Sequence, residues 1–155
     1  MRQLLLFCFV FFVAAGSAAA VNMPLTDIDG RQSNLDQYRG KWVIVNYWAT
    51  WCPPCIAEMP ELQEFHDEHA EHDAVVIGIN VEMIGDLQLK DFLDTYFITY
   101  PVYKAGPTQE SALGSIPGLP TTFVVSPAGE VVARQVGPVT RDMLERFIEK
   151  WKAQM

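Results

Sequence analysis

Apolar residues fall along the chain in two rhythms, and the rhythms alternate. Trp42 to Tyr47 is a continuous β-branched and aromatic run, and Asp73 to Val81 is a second one. Both are short enough to be strands buried on two faces. Between them Ile56, Met59, Leu62 and Phe65 recur every three residues, giving a helix with an inner face that continues to about Ala70, with a kink expected at Pro60. Leu89, Phe92, Leu93, Tyr96 and Phe97 follow the i, i+3, i+4, i+7, i+8 pattern of a second helix. Tyr100 to Tyr103 reads as a short extended segment and Thr108 to Leu113 as a short helix or turn. Thr121–Val125 and Glu130–Val136 form a hairpin through Ser126-Pro127-Ala128-Gly129. Thr140 is a good N-cap for a last helix whose face is Leu144, Phe147, Ile148 and Trp151. Near the start, the Asp29-Gly30 turn signal within Thr26–Arg31 predicts a small hairpin. Strands alternating with helices make an α/β domain.

The 155 residues suffice for one such domain. Before it, Met1 and Arg2 lead into an apolar run from Leu4 to Ala15, and Ala18-Ala19-Ala20 offers small residues for cleavage. Residues 1–20 therefore read as a secretory signal peptide and residues 21–155 as the folded domain. An uncleaved anchor is the alternative, although the run is short for a span of ~30 Å. Cys8 lacks the flanking residues of a lipoprotein signal. The leader holds one of the 11 basic residues and none of the 19 acidic ones, so its removal takes the formal charge from −8 to −9. So acidic a domain repels phosphate backbones, which argues against nucleic acid as a partner. It also leaves only Cys52 and Cys55, whose short loop would stabilise a fold little if closed. The pair points to chemistry more than to stapling.

The placement of these cysteines supports that reading. Cys52 follows the first strand and precedes Pro53 and Pro54, residues tolerated in the first turn of a helix. A helix N-terminus carries unpaired N–H groups and about half a positive charge, which favours a thiolate. Cys55 is spaced to displace the mixed disulfide that Cys52 would form. Neither proline can donate to the Cys52 sulfur, so the pair is expected toward the reducing end of the potential scale. A zinc site built from these cysteines with His66 and His69 fails on distance, because eleven helical residues span ~16 Å. His66, His69 and His72, set among acidic residues, read as a solvated helix end with at most weak metal affinity.

Trp48-Ala49-Thr50-Trp51-Cys52-Pro53-Pro54-Cys55, followed by Glu58 and Pro60, resembles the thioredoxin superfamily in its exported TlpA-like and ResA-like branch. The resemblance extends through Gly118-Leu119-Pro120-Thr121-Thr122, which is similar to the superfamily's cis-proline loop. It implies a thioredoxin-like fold, with a central mixed sheet flanked by helices. It also implies thiol–disulfide exchange, with Cys52 as the exposed nucleophile and Cys55 as the buried resolving thiol. Glu58 matches an acidic residue near the resolving thiol, where it would move the Cys55 proton; a solvated helix glutamate is the alternative. Thioredoxins proper keep a buried aspartate where this chain has Asn46. The likeness further implies that Pro120 is cis and that Leu119 and Thr121 flank the client chain. It makes Trp51 a shield and partner contact, or else a core aromatic. Gly137 becomes a point of close partner approach, or else an ordinary turn glycine.

No metal, flavin or nicotinamide site is visible in the sequence, so no cofactor is expected and electrons would come from another protein. The family likeness implies disulfide-containing clients, a membrane thiol carrier as electron source, a periplasmic location, and a part in cytochrome c or oxidase assembly. A disulfide-donating oxidase is the runner-up. An isomerase is disfavoured because no dimerisation domain precedes the redox domain. A copper-delivery module is a further alternative, although relatives that bind copper use a wider cysteine spacing and an added histidine.

Overall fold

The computed structural model describes residues 20–105 and 111–154. The expected leader up to residue 19, Cys8 within it, and residues 108–110 of the expected turn lie outside the described residues. Seven strands run in chain order as β1 (Pro24–Asp27), β2 (Gln32–Asn34), β3 (Trp42–Trp48), β4 (Ala74–Asn80), β5 (Val102–Lys104), β6 (Thr121–Val125) and β7 (Val131–Val136). Three α-helices, α1 (Pro53–His69), α2 (Asp86–Thr95) and α3 (Arg141–Lys152), and one 3-10 turn (Leu35–Tyr38) complete the described elements. Among the described residues, no helix is long and apolar enough to cross a membrane.

The strands form one mixed sheet in the order β2-β1-β5-β4-β3-β6-β7. β3, β4 and β5 are parallel, and the other neighbours are antiparallel. The two parallel crossovers, through α1 and through α2, advance in the same direction across the sheet. Right-handed crossovers then put both helices on one face. The side chains agree: Ile44, Trp48 and Val76 share a buried cluster with Met59, Leu62 and Phe65 of α1, Leu89 of α2, and Leu144 and Ile148 of α3. The opposite parity, Val43, Val45, Tyr47, Ile77 and Phe123, packs against Met23, Leu25 and Leu35 from the N-terminal hairpin and the 3-10 turn. β3 and β4 are buried along their whole length because both faces are covered.

The periodicity places most elements within two residues. Thr140 caps α3, its side chain accepting from the Met143 amide, a bond worth about 1 kcal/mol in such positions. Three details differ from the pattern. Ile56 is only half-buried, and the inner face of α1 is carried instead by Cys55, Glu58, Met59, Leu62 and Phe65. The tract of α2 ends before Tyr96 and Phe97, which are 42% and 82% exposed. Phe97 adopts a left-handed φ of 54°, Ile98 N–H donates to Leu93 C=O at 2.9 Å, and Phe97 N–H donates to Asp94 C=O at 3.2 Å. This is a Schellman stop, with phenylalanine where glycine is the usual residue. The third difference concerns the histidines, which are not a uniformly solvated end. His66 is half-buried and accepts the Val76 amide, and His69 stacks on Phe65 and meets Asp73 at 3.1 Å. Of the three, His72 alone is exposed.

Candidate active site

β3 delivers the chain to the site, and α1 begins there. Cys52 is the N-cap residue of α1, in extended conformation, with Pro53 and Pro54 as the first two helical residues. Those prolines remove two of the N–H groups that a helix start leaves unpaired. Ile56 N–H already donates to Cys52 C=O, so the Cys55 N–H is the donor left in the first turn. Cys52 and Cys55 are disulfide-bonded, with Cα atoms 5.3 Å apart. Because α1 is continuous from Pro53 to His69, the cysteines and His66 cannot converge on one metal ion.

The sequence reading expects Cys52 to be exposed, and the structure corrects this. Cys52 is 3% exposed and Cys55 fully buried. Trp51, by contrast, is 67% exposed and stands outside the core.

Glu58, one turn beyond Cys55, is 3% exposed and sits on the same buried face of α1. Its two oxygens have different partners. Asn46 Nδ2 donates to Oε1 at 2.7 Å, and the Val139 amide donates to Oε2 at 2.8 Å. Burial is the larger influence and pushes the carboxyl up from 4.5 to about 7, while the two hydrogen bonds pull the other way. The solvated-glutamate alternative is thereby removed. Asn46 also donates to Thr122 Oγ1 at 3.0 Å. Asn46, Thr122 and Val139 are the neighbours that sequence reasoning missed as a group. Strand parity offered the signal for Asn46, which shares its face of β3 with Ile44 and Trp48 and so looks toward α1.

The cis-proline loop meets the turn at Gly137. The Leu119–Pro120 peptide bond is cis and Pro120 is buried. Thr121 is fully buried, and its hydroxyl donates to Gly118 C=O at 2.6 Å. Gly137 N–H donates to Pro120 C=O at 2.9 Å, which ties the two loops together. Gly137 has φ of 97°, and a Cβ there would meet nothing within 4 Å. Within this chain the glycine therefore serves its backbone conformation. Leu119 is half-buried, packs on the clusters of both sheet faces, and with Trp51, Tyr47, Ile79, Val81 and Glu82 lines a cleft of about 560 Å³. The structure thus gathers Cys52, Cys55 and Glu58 on one helix, joins Pro120, Thr121 and Gly137 in one loop pair, and sets Trp51 and Leu119 on the same cleft.

Residues 17–134 match a family model described as the AhpC/TSA family. The thiol-disulfide oxidoreductase ResA of Halalkalibacterium halodurans is 35% identical over 138 residues, covering 88% of this chain and 77% of the relative. The chain belongs to the thioredoxin-like AhpC/TSA family, in its ResA-like thiol–disulfide oxidoreductase branch. Among solved structures, a thiol:disulfide interchange protein of the thioredoxin family from Chlorobium tepidum is similar with a TM-score of 0.75 and 32% identity, covering 84% of this chain and 93% of that one. A DsbF homologue from Corynebacterium diphtheriae aligns with a TM-score of 0.76 at 29% identity, covering 86% of each chain.

Proposed function

We propose that this thiol–disulfide oxidoreductase works as a reductant of client disulfides, with Cys52 as nucleophile, Cys55 as resolving thiol and Glu58 as proton carrier. The observation that carries this reading is the Cys52–Cys55 pair at the α1 N-terminus, with a buried carboxylate one turn away. In the reduced protein the Cys52 thiolate attacks one client sulfur. A Cys52–client mixed disulfide forms, and the other client sulfur leaves as a thiolate and takes up a proton. Cys55 then gives its proton to Glu58 and attacks the Cys52 sulfur. The mixed disulfide breaks, the second client thiol is released, and the Cys52–Cys55 disulfide remains. Two electrons pass from the protein to the client, so an external dithiol must restore the pair. A carboxyl titrating at about 7 is balanced to take that proton and later return it.

Client recognition is assigned to the exposed Trp51 and to the backbone beside cis-Pro120, where main-chain pairing gives affinity without demanding one sequence. Thr121 and Gly137 hold that loop in place. The reducing direction is supported by Pro53 and Pro54, which leave the Cys52 thiolate few donors. Export to the periplasm rests on the apolar leader and its alanines. A membrane thiol carrier as donor, and clients in cytochrome c or oxidase assembly, rest on family likeness alone.

Equilibration with glutathione tests the direction. A potential near thioredoxin's, about −270 mV, is expected, and one near a strong oxidant's, about −120 mV, would overturn it in favour of a disulfide donor. Cys55→Ser, which stalls the mixed disulfide, should recover disulfide-linked clients from the native cell, and Cys52→Ser should recover none.

A further inference from the structure

We propose that Glu82 is a positioning residue that holds Trp51 and Cys52 in place by gripping Thr50; this rests on the exchange reading above. β3 ends at Trp48, so the Thr50 amide lies beyond the strand's ladder and needs another acceptor. Glu82, two residues past the end of β4, supplies it. Its Oε1 accepts the Thr50 N–H at 2.7 Å, and its Oε2 accepts the Thr50 hydroxyl at 3.0 Å.

The carboxylate is itself anchored in the sheet. Asn80 Nδ2 donates to Glu82 Oε1 at 2.9 Å, and Asn80 Oδ1 accepts the Glu82 N–H at 3.3 Å. Asn80 is 1% exposed and pairs in register with Trp48, while Val81 N–H donates to Trp48 C=O at 3.1 Å. A rigid path therefore runs from the centre of the sheet through Asn80 and Glu82 to Thr50.

Thr50 is the first central residue of the turn that launches α1. Ala49 C=O accepts the Cys52 N–H at 3.2 Å and closes that turn, with Trp51 as its second central residue. Gripping Thr50 by both its amide and its hydroxyl fixes the direction in which Trp51 projects and the point at which Cys52 enters the helix. Glu82 touches neither client nor sulfur in this role; it acts through Thr50.

The distinction between grip and charge is measurable. Glu82→Gln keeps an acceptor for the Thr50 and Asn80 N–H groups and offers an amide donor to the Thr50 oxygen, while losing the charge. Glu82→Asp keeps the charge but is one methylene too short. Reduction of insulin, with dithiothreitol as the electron source, gives kcat/KM for each variant. Glu82→Asp and Glu82→Ala should each lose about 10-fold, since a misplacement of ~1 Å can cost on the order of 100-fold, whereas Glu82→Gln should stay within about 2-fold of wild type. Thr50→Ala combined with Glu82→Ala should be no worse than Glu82→Ala by itself, because the two residues act as one unit. A reversed order, with aspartate active and glutamine impaired, would overturn the proposal, as would wild-type rates in every variant or losses that multiply. Wild-type protein that leaves insulin oxidised would overturn the exchange reading itself.

Discussion

The Glu58 carboxylate accepts the Val139 amide hydrogen at 2.8 Å, linking the first turns of α1 to the loop that launches α3 across 81 residues of sequence. A buried carboxylate used this way serves two ends. It closes an otherwise open backbone donor in the loop beside Gly137, and it keeps a titratable group on the face of α1 that carries Cys55. Solvation would normally hold such a carboxyl near 4.5; burial moves it to about 7.

This raised value has a sign for stability. Between pH 4.5 and 7 the folded protein holds the Glu58 proton while the unfolded chain has released it. Stability from this group is therefore fully present below 4.5, falls as pH rises through 7, and levels off above. The whole drop is on the order of 3 kcal/mol. Denaturant melts of wild type and Glu58→Gln across pH 4–9 check it: the wild-type curve should decline over this window, and that component should vanish in the variant.

Asn46 makes the neutral half of this arrangement. Asn46→Asp would set a second carboxyl within hydrogen-bonding reach of Glu58 Oε1, where the present contact is 2.7 Å. Two carboxyls so close share one proton, because both cannot ionise cheaply in a buried site. The variant should match wild type most closely in acid and lose about 3–5 kcal/mol above neutrality, the cost typical of an uncompensated buried charge. Melts at pH 5 and pH 8 give the contrast.

Phe97 offers a test of backbone reasoning away from the chemistry. It occupies the left-handed stop of α2 with its ring 82% exposed, so little packing is lost by removing it. Phe97→Gly relieves the conformational cost at that position but loosens the unfolded chain. The balance should favour the folded state by about 0.5–1 kcal/mol, since a non-glycine residue in this region costs roughly 1–3 kcal/mol. Thermal unfolding of the variant measures it.

How much of this could be read from residues alone varies with the kind of interaction. Strand runs such as Trp42–Tyr47 and the capped α3 are local patterns, and they appear in the structure almost where periodicity places them. The cysteine pair was legible because strand, helix start and spacing fall within one short stretch. The end of α2 was not, because Phe97 fills a position where glycine would have announced the stop. The surroundings of Glu58 were hidden for a different reason. Asn46 and Val139 donate to the carboxylate and Thr122 accepts from Asn46; the three come from separate parts of the chain, and no local pattern records that they meet. The same holds for Glu82 and Thr50, brought together by the parallel register of β3 and β4.

The central claim is that the start of α1 holds Cys52 as a ready thiolate with Cys55 behind it. Alkylation of the fully reduced protein by iodoacetamide across pH 4–10, with each cysteine followed by mass, measures this directly. Cys52 should react first, with a midpoint below the ~8.5 of a free thiol, and Cys55 should lag at every pH. Equal rates at the two sulfurs, with both midpoints at or above ~8.5, would contradict the account.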